Sequence, residues 1–391
     1  LFIFATEDRE NNKGIGKFNT FFAMKTIKEL RFICILLCVS VLFTKVAAQE
    51  TFFRTYEFNP ACGNMAFSIE NAEDGGFYVG GGYACQMFMN DWMFFKTDEH
   101  GDVQWMTRFA STMSPDLKDM LVTENGIIWS VGHYFSHDEY EYFPGIGQIS
   151  TNGDSIYWGT NCKDAIDTCQ WSKGVYNNLF ETANGDFLLA GSKEGCMGFR
   201  RSLLSRITQD RETVWTVMDS LFYMGMYHGE DVIETINGDI YTVGHGFNNI
   251  SPSWHFTHSF LAKYNSNGER LFIKTFEEEG SEERGTTFTH IVQQNDLFIL
   301  VGNFWDYGIP LSATPFLYQI NQNGNILRKA YINIDKEFEL WGDETISEIV
   351  PLQDGGFLVV GAGQARFSGG VIPIRKQNTL YMHLKKVYDL L

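Results

Sequence analysis

The chain has 391 residues and a formal net charge of −18 at pH 7. An acidic chain of this kind lacks the basic stripe that phosphate binding needs, which excludes nucleic acid as a partner and disfavours anionic lipid surfaces. Its length exceeds one ordinary globular core and suits a repeat architecture.

Residues 1–23 carry no coherent pattern and read as an upstream or non-native segment, because the first Met is Met24. Residues 24–48 read as a signal peptide. Lys25, Lys28 and Arg31 precede the apolar run Phe32 to Phe43, and Val46-Ala47-Ala48 supplies small residues before Gln49. That charged, apolar, small order marks export. The apolar run falls short of the ~20 residues that span a bilayer. The expected product is secreted or held at the cell surface, with no membrane insertion after cleavage. Residues 49–391 then carry 23 basic and 44 acidic residues, a net charge of −21.

The rest of the chain repeats. A turn, an apolar run and a Gly recur six times. The first is Asp74-Gly-Gly-Phe-Tyr-Val-Gly80, and the next ends at Gly132 after Glu124-Asn-Gly. Asn184-Gly-Asp leads to Gly191, and Asn237-Gly-Asp leads to Gly244. Asn295-Asp leads to Gly302, and Asp354-Gly-Gly leads to Gly361. A second block follows the first five: an apolar strand, a polar turn and another strand. In the first repeat it is Phe94-Phe-Lys-Thr-Asp-Glu-His-Gly-Asp-Val-Gln-Trp105. Asn-Gly and Asp-Gly between apolar runs signal hairpins, because these residues tolerate the positive φ of tight turns.

Each repeat therefore predicts four antiparallel strands, A to D, at 64–71, 76–82, 92–97 and 102–109 in the first. Four-stranded units of this length, repeated six times, predict an all-β, six-bladed β-propeller over residues 49–391. The sixth repeat has no clear strand D. Thr51-Phe-Phe-Arg-Thr-Tyr-Glu-Phe58 resembles the first strand D, Trp105-Met-Thr-Arg-Phe109. It is expected to complete the last blade and close the ring, which removes exposed edges.

This double block resembles the secreted β-propeller repeats common in Bacteroidetes, of the form DGGFφφxG…φφKxDxxGDφxW with φ apolar. The resemblance implies a bacterial, exported propeller; the C-terminal sorting domain that often accompanies such repeats is not visible. Asp98, Gly101 and Trp105 fit neither the sialidase Asp-box spacing nor the quinoprotein spacing, so they read as turn mechanics and not as a catalytic signature.

Strand direction puts the B–C and D–A loops on one face, where long loops usually carry binding. The B–C segment 133–146 holds His133, Tyr134, His137 and Tyr140. The segment 245–259 holds His245, Trp254, His255 and His258, and the fifth B–C loop holds Trp305 and Tyr307. Flat aromatic rings suit sugar faces or protein hot spots. The bland alternative is that these rings pack the loops onto the blades. His133 and His245 each directly follow the strand-B Gly of their repeat. Imidazoles with Asp138 and Glu139 are metal-type ligands, but isolated polar loop histidines are the default, and no metal or cofactor is assigned. The acidic run Glu277 to Glu283 reads as a solvated loop.

The exported part keeps Cys62, Cys85, Cys162, Cys169 and Cys196. Cys62 and Cys85 fall in adjacent loops and form the preferred disulfide pair, with a second bridge open among the other three. No Gly-x-Ser-x-Gly or His-Glu-x-x-His motif occurs. The expected function is a non-catalytic extracellular binding or scaffold module for a glycan or protein. One alternative is a polysaccharide-active enzyme with a site at the central channel. Another is a structural surface repeat without ligand. A carboxylate pair at the channel mouth would favour the enzyme, and an apolar plug would favour the module.

Overall fold

The computed structural model describes residues 56, 58, 63–86, 89–109, 114–136, 141–160, 173–194, 200–219, 225–248, 257–276, 284–306, 312–331, 345–351 and 357–362. They form 22 strands in chain order. Blade 1 is β1 (Gly63–Asn71), β2 (Phe77–Gln86), β3 (Met89–Thr97) and β4 (Val103–Phe109). Blade 2 is β5 (Ser114–Val122), β6 (Ile127–Ser136), β7 (Glu141–Ser150) and β8 (Ser155–Thr160). Blade 3 is β9 (Gly174–Glu181), β10 (Phe187–Glu194), β11 (Arg200–Ile207) and β12 (Thr213–Asp219). Blade 4 is β13 (Gly225–Glu234), β14 (Ile240–Asn248), β15 (Thr257–Tyr264) and β16 (Arg270–Phe276). Blade 5 is β17 (Arg284–Gln294), β18 (Leu297–Asp306), β19 (Ser312–Asn321) and β20 (Ile326–Tyr331). β21 (Thr345–Pro351) and β22 (Phe357–Ala362) form a two-stranded sheet. The observed count is thus five four-stranded antiparallel sheets and one pair of strands among the described residues.

Local chemistry makes the hairpins. In the turn after β3, Gly101 N–H donates to Asp98 O, while Asp98 Oδ1 accepts from His100 N–H and Asp102 N–H. Asn265 and Asn321 repeat this arrangement before Gly268 and Gly324. The last residue of each such turn is left-handed, which suits Gly in a three-residue hairpin loop. Arg211 takes that place in blade 3 with φ 66. At Gly153 (φ 89) the demand is double, since an added Cβ would also lie 2.9 Å from the Trp105 ring.

The apolar core lies in the seams between blades. Leu188, Ala190 and Leu204 of blade 3 pack with Tyr227, Val232, Ile240 and Phe260 of blade 4. Trp92 and Phe94 of blade 1 pack with Leu117, Met120 and Ile128 of blade 2. Burying each large side chain stabilises by about 1.5–3 kcal/mol. Sheets stacked face to face through such seams, in chain order, are the blades of a β-propeller. Strand D adds outer pins. Trp105 Nε1 donates to Thr151 O, and Thr107 Oγ1 donates to Gly153 O, both in the next blade. Trp215 Nε1 reaches Ser266 O in the same way.

The inner strands carry the feature that matters for function. β1, β5, β9, β13, β17 and β21 each pair with the second strand of their sheet through a register shift. The extra residue is Phe67, Lys118, Asn177, Glu230, Thr289 or Ser347, respectively. A β-bulge leaves one residue out of the ladder and re-aims its side chain. The residue after each of the first four bulges latches onto the next blade. Met120 N–H donates to Ser68 Oγ (3.3 Å), and Leu179 N–H to Asp119 Oδ2 (3.0 Å). Val232 N–H donates to Asn178 Oδ1 (3.3 Å), and Ile291 N–H to Asp231 Oδ2 (2.8 Å). One residue of the bulge therefore ties successive blades together while the one before it is turned out of the ladder.

Several expectations fall outside the described residues. These are the segments 1–23 and 24–48, residues 51–55, the acidic run 277–283, and the end of the sixth repeat. Three segments expected as loops are strand wherever they are described. His133 and Tyr134 lie in β6, His245 in β14, His258 in β15 and Trp305 in β18. The hairpin ladders run past the strand-B Gly because each extra residue still finds a cross-strand partner, such as His133 with Pro144 and His245 with Ser259.

Candidate functional site: the central channel

The bulges converge on one cavity. Lys118, Asn177, Glu230 and Thr289, from four different blades, line a space of about 470 Å³. His133, Val175, His228 and His290 complete the lining. Inner strands of successive blades supply nearly all of it, so this is the central channel. Among the described residues, seven of its eight lining side chains carry a polar group, and Val175 is the aliphatic one. Phe67 holds the equivalent bulge in blade 1, is 39% exposed, and lies with its ring centroid 5.7 Å from Lys118 Nζ.

Glu230 is the chemical centre. Its carboxyl Oε1 lies 3.4 Å from His245 Nδ1, and 24% of its side chain remains exposed to the channel. Burial pushes its pKa up to about 7, and the Lys118 charge opposes that rise. His245 stacks on His228, its cross-strand partner, with ring centroids 5.3 Å apart and planes at 15°. Burial lowers His245 to about 4. His228 falls to about 3 through burial, with His245 and Arg200 adding repulsion. His290 is lowered to about 4 by burial. The outcome is a division of roles. Between about pH 4 and 7 the Glu230 carboxyl keeps a proton that it is able to donate, while His228, His245 and His290 stay neutral and keep a lone pair. Asn177 is held in place by donating from Nδ2 to Gly229 O (2.9 Å).

A pair of acids, Glu70 and Asp119, lies at the seam of blades 1 and 2. Burial raises Glu70 to about 7, with the Asp119 charge adding to it. Burial raises Asp119 to about 6, against hydrogen bonds from Leu179 N–H, Met120 N–H and the Ser68 hydroxyl. These bonds tie Asp119 to the inter-blade latch and not to the channel wall.

The residues singled out from sequence scatter. His133 lines the channel, with its ring edge-on to Tyr142 at 4.8 Å. His245 touches Glu230. His258 pairs with Gly246, and Trp305 with Gly285 and Ala313, on the backbone of blades 4 and 5. Tyr134 pairs with Phe143 and Pro115. His137, Tyr140, Trp254, His255 and Tyr307 lie outside the described residues, as do Cys62, Cys162, Cys169 and Cys196. Cys85 sits at the register shift between Ala84 and Gln86. Among the described residues no three His, Cys, Asp or Glu side chains gather as metal ligands. No helix among them is long and apolar enough to cross a membrane. The loop reading missed Glu230, Lys118, Asn177, His228, Thr289 and His290. A signal existed: Lys118, Asn177 and Glu230 each stand fourteen residues before the strand-B Gly of their repeat.

The expectation of a non-catalytic binding or scaffold module is overturned. An apolar plug was its mark, and the described channel lining instead holds a carboxyl, an ammonium, an amide, a hydroxyl and imidazoles. Solved structures of similar shape are enzymes by their own names. One is an alpha-L-arabinanase of Penicillium chrysogenum complexed with arabinobiose, at 12% identity, 77% of this chain, 89% of that chain and TM-score 0.48. Another is an alpha-L-arabinofuranosidase of Fusarium graminearum, at 11% identity, 79% of this chain, 90% of that chain and TM-score 0.48. A third is a puromycin hydrolase, at 9% identity, 76% of this chain and TM-score 0.40; the chain spans 42% of its length. No family model and no curated protein matches the chain. At these identities and TM-scores the likeness carries no substrate across, and the chemistry rests on the channel.

Proposed function

We propose that the chain is a polysaccharide-active enzyme whose site is the central channel. One observation carries this reading: Glu230, aimed into the cavity by a β-bulge, sits 3.4 Å from His245 with its pKa near 7. A carboxyl that is protonated near neutral pH is what protonation of a departing sugar oxygen requires. The surrounding amide, hydroxyl and neutral imidazoles suit a ligand rich in hydroxyl groups. The test is a reducing-end assay of residues 49–391 on a polysaccharide panel that includes arabinan. Release that falls by about 10²–10⁴-fold in Glu230→Gln is expected, the usual worth of a general acid. Release unchanged in that variant would remove Glu230 and the channel from the chemistry.

We further infer six blades closed by the N-terminal strand. The sixth bulge, at Ser347, supports the count. Tyr56 supports the closure, since its hydroxyl donates to Gly101 O (2.8 Å) as Thr107 does to the equivalent Gly153 O. Tyr56 and Phe58 also pack on Phe95, with ring centroids at 5.0 and 5.2 Å. Toward blade 1 they thus take the place of a preceding strand D.

A further inference from the structure

Resting on the channel as the active site, we infer that it cleaves uronate-containing polysaccharide by β-elimination, with Lys118 holding the uronate carboxylate, His228 removing the proton from the carbon that bears it, and Glu230 protonating the departing oxygen.

The choice of acids and bases leads there. Hydrolysis of a glycosidic bond ordinarily takes two carboxyl groups about 5–10 Å apart. Among the described lining residues Glu230 is the carboxyl, and it is accompanied by imidazoles and an ammonium group. Elimination takes a different set: one base, one acid and a cation. The base removes the proton next to a carboxylate, the cation stabilises the negative charge that builds there, and the acid meets the oxygen that leaves.

Placement fits that set. His228 and Glu230 are two apart on β13, and both line the cavity. His228 reaches it from the ladder opposite His245, and Glu230 from the bulge, with its carboxyl against the same His245. A sugar unit bound there presents its acidic C–H to His228 and its glycosidic oxygen to Glu230. Lys118 enters the same cavity from blade 2, close enough for its charge to act on Glu230. Arg200 acts on His228 from blade 3. Lys118 stands in the channel of a chain whose net charge is −18. A carboxylate brought in by Lys118 also restores basicity to His228, since a nearby negative charge favours the imidazolium.

The step balances without a further reagent. The C–H electron pair becomes a carbon–carbon double bond, and the bond to the glycosidic oxygen breaks. His228 takes the proton, Glu230 gives one to the oxygen, and exchange with water resets both.

The experiment uses the full chain on polygalacturonate and alginate, with arabinan as the uncharged control. It follows the ultraviolet absorbance of the conjugated double bond and reducing ends in parallel. Both signals rising together on a uronate polymer, and neither on arabinan, is the expected result. Lys118→Met and His228→Gln should each lower the rate by about 10²–10⁴-fold while the melting temperature holds. Should either variant fail to fold, Lys118→Arg keeps the cation and is expected to retain most of the rate. Reducing ends without new absorbance, on any polymer, would overturn elimination and leave the channel enzyme standing. Silence on every polymer would overturn both. Absorbance unaffected by the variants would overturn the assignment of Lys118 and His228.

Discussion

Asp119 offers the sharpest test of how successive blades are held together. It lies at the seam of blades 1 and 2 but serves blade 3 as well. Oδ2 accepts from Leu179 N–H at 3.0 Å and from Asn178 Nδ2 at 3.2 Å. Oδ1 accepts from Met120 N–H at 2.8 Å and from Ser68 Oγ at 3.2 Å. Replacing Asp119 by Ala leaves these donors without the carboxylate. Met120 N–H still has Ser68 Oγ within 3.3 Å, so the main loss is at Leu179 and Asn178. Hydrogen bonds to a charged group are worth about 1.5–3 kcal/mol each, and a stranded buried donor costs about 1–3 kcal/mol. Returning a buried carboxylate with a pKa near 6 to water at pH 7 gives back up to about 3 kcal/mol. The net expectation for Asp119→Ala is a loss of about 2–3 kcal/mol at pH 7. At pH 5 the carboxyl is mostly protonated in the fold and the returned term shrinks, so the loss should be larger there. Urea unfolding at both pH values, with an unchanged m-value, reads the difference. A loss under about 1 kcal/mol at both would refute the latch as a source of stability.

Three further outcomes follow from the same geometry. Gly153→Ala should destabilise more than Gly238→Ala, by about 1–3 kcal/mol in thermal or urea unfolding. Both glycines have positive φ, but a Cβ at 153 meets the Trp105 ring at 2.9 Å whereas one at 238 meets nothing within 4 Å. Deleting residues 49–58 should strongly lower the melting temperature, because Tyr56 and Phe58 pack on Phe95; an unchanged value would refute the closing strand. Stability should fall as pH rises from about 4.5 to 7. Glu70 is raised from 4.5 to about 7, so the unfolded chain ionises first and gains the advantage through that window. Glu70→Gln should flatten that part of the pH–stability curve measured by urea unfolding.

Much of the architecture was legible in the chain. Hairpin turns are local: Asp98, Asn265 and Asn321 bond to backbone two and four residues on, and Gly supplies the left-handed end. Such chemistry recurs at each repeat and survives reading one window at a time. Within the strand-D likeness of residues 51–58, Tyr56 meets the turn glycine Gly101 as Thr107 meets Gly153. Aromatic and histidine-rich segments drew attention to the loops, and that signal was composition alone. His245 was found by it, but its partner was not.

The site itself came from tertiary structure. Lys118, Asn177, Glu230 and Thr289 are 53 to 59 residues apart and share no residue type, so no sequence motif joins them. Each is made special by a one-residue register shift that depends on pairing with the next strand. Each then meets the others because seams of Trp, Tyr and Phe stack successive blades around one axis. Sequence by itself determined the repeat, its turns and its strands, because these are settled by residues a few positions apart. Only the stacking of blades decided that a Glu, a Lys and a set of neutral imidazoles share one cavity, because burial and opposing charge act between residues the chain keeps far apart.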